Sequence, residues 1–529
     1  MAIPVRKPLS QLASYQALRA HAKEIKNRTL REWFAQDPGR FTAFSVEHPE
    51  FLFDFSRNRI SGKTLDILFS LFVECEVETW RDKLFAGDRI NLTEDRAVRH
   101  TVLRELDDVS SGPARSRDKV LRRMEDFAWQ VREEGFTDIV NLGAGGSRLG
   151  PMLVCDVFSD LACQGLEVHF VSNADAAEIN RVLQNLVPAT TLFIITSKSF
   201  TTPETLANAE NARNWLSGDD QVNKRIDRHF SAVTARTEMA VSWGVPPQQV
   251  FPMWDSVGGR FSVWSAAGLS VVLYLGMPVF KELLRGANEM DEHFKTAPAK
   301  ENIPVLLALL GIWNQHFLGA SVQAVLPYDT RLHHLPAYLQ QLEMESNGKC
   351  VDRSGRVLDV PGCTVVFGDV GTSAQHGFFQ FLHQGREPVS SDFIGVVRPA
   401  HANRRQHDML MANMIGQAEA LMLGRMPEEV QAEDNGQHAM HRVFPGNRTS
   451  NMILFRELTP RTLGLLLALY EHKVFVQGIV LDINSFDQPG VEFGKRLAHH
   501  LLDGLHDGEA VPGQDCATRA ALDYYRKHF

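Results

Sequence analysis

Apolar residues recur at helical spacing through residues 10 to 105. The pattern predicts helices over Leu9–Lys23, Leu65–Phe85 and Asp95–Glu105, the last capped by Thr93 ahead of Glu94. Asp54-Phe55-Ser56-Arg57-Asn58, lying between helices, reads as an ordered loop, and residues 117 to 135 read as another amphipathic helix. The texture then changes. Short apolar runs at Asp138–Leu142, Glu167–Ser172, Thr191–Ser197 and Ala232–Thr234 alternate with helix-length segments, as in a parallel sheet covered on both faces. Helices dominate from Ser262 to about Phe317. A second alternating set follows at Val322–Leu326, Thr364–Phe367 and Phe393–Val397, with later helices over His407–Leu423 and Pro460–Gly478. The reading is an α/β protein with two sandwiches of mainly parallel sheet, wrapped by additional helices. The expected division is a helical segment over 1–114, a first α/β domain with phosphate-binding loops over 115–280, a helical connection over 281–309, a second α/β domain over 310–505 and a helical tail over 506–529.

Composition narrows the function classes. The 529 residues are 44% hydrophobic and 22% charged, ordinary for a globular chain, and the net charge of −9 gives no electrostatic support for nucleic-acid binding. An acidic protein that takes an anion must concentrate its cations locally. Cys75, Cys155, Cys163, Cys350, Cys363 and Cys516 are scattered without a Cys-x-x-Cys pair, which fits reduced thiols in a cytoplasmic protein. No secretory pattern opens the chain and no apolar run approaches a membrane span, so no membrane role is expected.

The first chemistry lies where strand-like Asp138–Leu142 breaks into Gly143, Gly145, Gly146 and Ser147. Arg148 stands where the dinucleotide fingerprint needs its third glycine, and none of the Gly-Lys pairs has the spacing of a nucleotide P-loop. What remains is a strand, a glycine turn and a helix start, able to bind an anion through bare N–H groups or to be an ordinary turn. The next such turn, TSKSFTTPET, crowds Ser197, Lys198, Ser199, Thr201 and Thr202 ahead of Pro203. One helix needs one cap, so the excess of hydroxyls points to a phosphate monoester shared by both loops.

Further candidates follow. Arg260 comes directly after Gly258-Gly259 and carries a permanent charge suited to a developing oxyanion, or else an ordinary ion pair. Gln341 and Glu345 are one helical turn apart, with Asn347-Gly348 ending the helix, and a carboxylate there is a candidate general base. His376 follows a Gly-Thr-Ser turn and is a candidate acid–base group or a structural histidine. Gln488 and Lys495 are seven apart on a helix starting near Pro489 and face the same way. The pairs His333-His334, His499-His500 and His438/His441 show no third ligand at a familiar spacing, so no metal site is expected.

The stretches SVGGRFSVWSAAGL and LYEHKVFVQGIVLDINSFDQPGVEFGK resemble the two hallmark segments of the glucose-6-phosphate isomerase (phosphoglucose isomerase) family. GAGGSRLGP, FVSNADAAEI, TSKSFTTPET, QQLEMESNGK, GTSAQHGFFQFLHQG and FPGNRTSN match in order, as do the N-terminal DFSRNRI and GDRINLTEDRAVRHTVLR. The resemblance implies two sugar-isomerase (SIS) three-layer αβα sandwiches and a cofactor-free aldose–ketose isomerase of glycolysis and gluconeogenesis, interconverting glucose 6-phosphate and fructose 6-phosphate. By the family pattern, Ser147, Ser197, Ser199 and Thr202 grip the phosphate, with Gly146 and the Lys198 backbone beside them. Glu345 moves the proton between C1 and C2, Arg260 stabilises the cis-enediolate, and His376 and Lys495 assist ring opening. Gln341, Gln488 and Gly259 line the site. The family pattern also implies a homodimer in which the histidine serves the partner's site. Departures from the usual family text are Arg148 for Asp, Ser199 for Thr, Pro203 for Gln, Asp369 for Glu and Pro489 for Trp. Two alternatives remain: a non-catalytic SIS-domain sugar-phosphate sensor, and an NAD-dependent oxidoreductase, which Arg148 in the fingerprint disfavours.

Overall fold

The structure is a computed structural model describing residues 6–107, 110–433, 438–507 and 514–529. It falls into two compact units, Met1–Ser485 and Phe486–Phe529. The larger unit holds two sheets. Strands β1 (Ser45–Glu47) and β2 (Phe51–Asp54) come first in the chain, followed by β3 (Asp138–Leu142), β4 (Glu167–Val171), β5 (Thr191–Thr196), β6 (Phe230–Thr234) and β7 (Val250–Pro252). Strands β8 (Val322–Tyr328), β9 (Val365–Gly368), β10 (Val389–Val396) and β11 (Ser450–Phe455) complete the set among the described residues. One sheet has the order β4-β3-β5-β6-β7 and is parallel throughout. The other has the order β1-β2-β11-β10-β8-β9, parallel except where β2 runs antiparallel to β11 and to β1.

Strand order decides where a ligand can sit. In the five-stranded sheet the chain leaves β3 for β4 on one side and then returns to place β5 on the other, which opens a crevice beyond the carboxyl ends of β3 and β5. Leu142 pairs with Ile195 in register, so the glycine turn after β3 and the hydroxyl-rich turn after β5 leave the sheet side by side. Under this edge, Val140, Leu142, Phe193, Ile195, Phe230 and Ala232 form part of one buried apolar cluster. Contrary to the expectation that no apolar run approaches a membrane span, the Pro460–Leu481 helix is long and apolar enough to cross one, the single such helix among the described residues; it is entirely buried in the protein, as a core helix is.

Several elements differ from expectation. The helix expected over Leu65–Phe85 is two helices, Gly62–Glu74 and Val77–Ala86, broken where Glu76 takes a left-handed φ of 54°. Asp95–Glu105 is not a helix beyond the short turn Thr101–Leu103. Its expected cap is committed elsewhere: the Thr93 hydroxyl accepts from Asn484 Nδ2 at 2.7 Å, Asp95 has a φ of 48°, and Asn91 pairs with Arg96. Strands β1, β2, β7 and β11 were not anticipated, and Asp54, expected in a loop, closes β2. Residues 45–54 therefore join the second sheet although they precede the first in sequence.

Candidate active site

The glycine turn after β3 is shaped by two positions that exclude a side chain. Gly145 has φ +56° and ψ −124°, and a β-carbon there would lie 2.9 Å from Gln341 Nε2. At Gly146 a β-carbon would collide with the backbone of Gly259 and Arg260. The two absences bring together, at the start of the Gly146–Val157 helix, the glycine turn, the Gly258-Gly259-Arg260 stretch and Gln341. Ser147 is buried in the first turn of that helix, whose N-cap Gly145 offers no side chain to the free N–H groups.

The hydroxyl turn after β5 is built differently. Phe200 takes a left-handed φ of 52°, strained for a large side chain, while its ring is 2% exposed in the apolar cluster. The buried ring anchors the turn and leaves Ser199 and Thr201 exposed on either side, linked by a 2.7 Å hydrogen bond. Thr202 occupies the N-cap of the Pro203–Ser217 helix, yet its side chain makes no capping bond. Its hydroxyl instead shares a 2.8 Å hydrogen bond with Ser197 Oγ. Helix capping thus does not account for these hydroxyls. Beneath them, Thr196 Oγ1 donates to Asn141 Oδ1 (2.9 Å) and Asn141 Nδ2 donates to Ser147 O (3.1 Å), so one buried amide couples the two turns.

Lys198 commits its ammonium to backbone, donating at 2.9 Å to each of the Asp255 and Val257 carbonyls. Burial, followed by the nearby Arg96 charge, holds its pKa below the usual lysine value. The side chain ties the β5 turn to the segment that leads into Arg260.

Arg260 is 2% exposed and held on two sides: Nε donates to Ser346 Oγ at 2.6 Å and Nη2 to Ser485 O at 2.5 Å. Its Nη1 lies 3.7 Å from Glu345 Oε2. The same carboxylate oxygen accepts from Gln341 Nε2 at 2.9 Å, as the one-turn spacing on the Leu335–Asn347 helix requires. Lys349 Nζ donates to the Glu345 and Ser346 carbonyls and closes the end of this helix. The result is a half-buried carboxylate beside a fixed guanidinium, next to a helix start and a cluster of hydroxyls. Such a set can bind a phosphate monoester and move a proton at a carbon whose neighbouring oxygen gains charge.

Gly146, Ser147, Ser197, Lys198, Ser199, Thr202, Gly259, Arg260, Gln341 and Glu345 all lie in the larger unit, on the elements just described. His376 lies there too, exposed in the last turn of the short Gly371–Gly377 helix, and shares no hydrogen bond with the Glu345 group. Gln488 and Lys495 belong to the smaller unit, where the Pro489–Asp507 helix begins as expected and Lys495 Nζ pairs with Glu492 at 3.1 Å. Sequence reasoning missed the supports: Asn141, Thr196, Phe200, Ser346 and the Ser485 carbonyl. Asn141 and Thr196 show only as polar residues in apolar runs, a signal many structural residues share, and Phe200, Ser346 and Ser485 carry no local signal. Arg148 turns away to Ser172 Oγ (2.5 Å) and Glu178 (3.7 Å) at the end of β4. Among the described residues Asp156 joins His333 and His334 in a group whose ligand atoms lie within 4.8 Å of one another, a proximity that spacing along the sequence does not show.

Comparison with known proteins finds relatives over nearly the whole chain. The phosphoglucose isomerase family model matches residues 54–522. A glucose-6-phosphate isomerase of Chlorobium phaeobacteroides is 46% identical, over 98% of this chain and 97% of its own length. One from Cupriavidus metallidurans is 45% identical over 98% and 99%. The crystal structure of a glucose-6-phosphate isomerase from Chlamydia trachomatis superposes with a TM-score of 0.87 at 32% identity, covering 99% of this chain and all of that one.

Proposed function

This chain belongs to the phosphoglucose isomerase family and is an enzyme of glycolysis and gluconeogenesis that interconverts glucose 6-phosphate and fructose 6-phosphate; on that premise we propose how its residues divide the work. Ser147, Ser197, Ser199 and Thr202 hold the phosphate, with the Gly146 and Lys198 backbone completing the cradle. Glu345 takes the proton from C2 of the open-chain aldose and returns it to C1. Arg260 faces the oxygen on which enediolate charge develops, and its permanent charge lowers that barrier without a proton transfer of its own. Gln341 orients the carboxylate, while Gly259 and Gln488 line the sugar. His376 and Lys495 open and close the ring. The reaction is redox-neutral, so the residues need no electron acceptor. The observation that carries this reading is the Gln341–Glu345–Arg260 set, packed by Gly145 and Gly146 against the start of a helix able to hold an anion.

The test is Glu345→Gln, which keeps the shape and removes the base. Turnover should fall by about 10²–10⁴, while calorimetric affinity for glucose 6-phosphate stays within a few-fold of wild type. Retained turnover would remove Glu345 from the mechanism.

The functional unit we infer is a cytoplasmic homodimer in which His376 serves the partner's site. Its exposure and its separation from the Glu345 hydrogen bonds favour this arrangement. Mixed His376→Ala and Glu345→Gln protomers, each inactive alone, should regain activity through hybrid sites. No recovery despite demonstrated subunit exchange would place both residues in one chain's site.

A further inference from the structure

The Gly146–Val157 helix, which starts at the glycine turn, and the Leu335–Asn347 helix, which carries Glu345, pack against each other. Two of their meeting points lie at opposite ends of the contact. One is the glycine turn, where Gly145 faces Gln341. The other is marked by Asp156, one residue from the end of the first helix, and by His333 and His334, which immediately precede the second. Ten residues of helix separate Gly146 from Asp156, roughly 15 Å.

Here Asp156 Oδ2 lies 3.1 Å from His333 Nδ1, and the rings of His333 and His334 are 3.8 Å apart between centroids. His334 sits at the helix N-cap but its side chain makes no capping bond. The nearest cation in sequence, Arg331, is already committed to both oxygens of Asp329, at 3.0 and 2.7 Å, and does not compete for Asp156. One carboxylate and two imidazoles, with their ligand atoms within 4.8 Å of one another, need only modest side-chain rotation to meet at one ion. Their side chains are partly exposed, which leaves the remaining coordination positions to water.

We propose that Asp156, His333 and His334 form a binding site for one divalent cation of the zinc, nickel or cobalt class, which clasps the two helices at the end remote from the sugar-phosphate site. Imidazole ligands select borderline metals, whereas magnesium and calcium favour sets made of oxygens. The ion takes no part in isomerisation. It joins the helix of the glycine turn to the helix of the base and should stabilise the folded state by mass action.

The test uses the full-length protein, stripped with EDTA and dialysed, titrated with Co2+ by visible absorption and with Zn2+ by calorimetry. One equivalent per chain should bind, with imidazole-type cobalt bands, and excess Zn2+ should raise the thermal midpoint. His333→Ala/His334→Ala and Asp156→Asn should each weaken binding at least tenfold and abolish the thermal shift. Both should keep isomerase activity, which shows that they fold. Stripped wild-type enzyme should also remain active, so failure of this site would leave the catalytic reading untouched. Absence of saturable binding, equal binding of Mg2+, or binding undiminished in the double histidine variant would overturn the proposal. The last result would place the ion at another histidine pair, such as His438/His441 or His499/His500.

Discussion

Both sheets cover buried apolar clusters, but they bury their polar groups differently. The five-stranded sheet is apolar beneath its ligand edge, crossed there by the Asn141–Thr196 bond, and it presents its polar groups in the turns. In the six-stranded sheet, Asp392 of β10 is fully buried and accepts from Gln323 of β8 (2.6 Å), Asn451 of β11 (2.8 Å) and Tyr470 (2.8 Å). Lys473 continues the chain of contacts from Gln323 (3.1 Å) to Glu343 (2.8 Å) on the Leu335–Asn347 helix. Asn58 links Asn451 to Asn314, which brings the N-terminal segment into the same network. The first sheet supplies groups at its edge; the second fixes, from inside, the helix that carries Glu345. Two carboxylates on that helix make the contrast plain. Glu343 is 2% exposed and paired with Lys473, whereas Glu345, two residues on and across the helix, opens towards Arg260 and the glycine turn.

If that contrast is right, damage to the two regions reads out differently. The largest stability loss is expected from Lys473→Met, which strands Glu343 in the interior. Breaking a buried pair costs about 3–5 kcal/mol, seen as a lower denaturation midpoint. Glu343→Leu combined with Lys473→Met should restore most of it. A single variant of wild-type stability would mean that the network does not hold the helix. Arg260→Lys keeps a charge but cannot reach Ser346, Ser485 and the reacting oxygen together, so turnover should drop about 10²–10³ with substrate affinity little changed. Thr196→Val leaves Asn141 Oδ1 without its donor and should cost about 1–3 kcal/mol of stability, with a raised KM because both turns rest on that amide. Ser199→Ala removes one exposed hydroxyl. A stability change within about 0.5 kcal/mol and a modest rise in KM are expected; an unchanged KM would take Ser199 out of the phosphate cradle.

The same contrast explains what could be read from the sequence. Strand β3 was expected at its observed limits and β5 within one residue, because strands buried on both faces by apolar side chains read as continuous runs. Strand β10 was expected to begin at Phe393 but starts at Val389, since Ser390, Ser391 and Asp392 look like loop until the network that satisfies them is known. Strand β11 opens on Ser450-Asn451 and was missed for the same reason. The hydroxyl and glycine turns were legible because local chemistry makes them. What holds Arg260 was not: Ser346 and the Ser485 carbonyl come from distant parts of the chain, and no local pattern brings them together.

The central claim is that Glu345, not Glu343 two residues before it, carries the proton. Glu345→Gln, incubated with glucose 6-phosphate in heavy water, isolates that step from binding and ring opening. Anomer interconversion should persist, while deuterium incorporation at C2 and formation of fructose 6-phosphate collapse together, and the folding midpoint should stay near wild type. Deuterium exchange at C2 continuing at the wild-type rate would contradict the account and assign the proton to another residue.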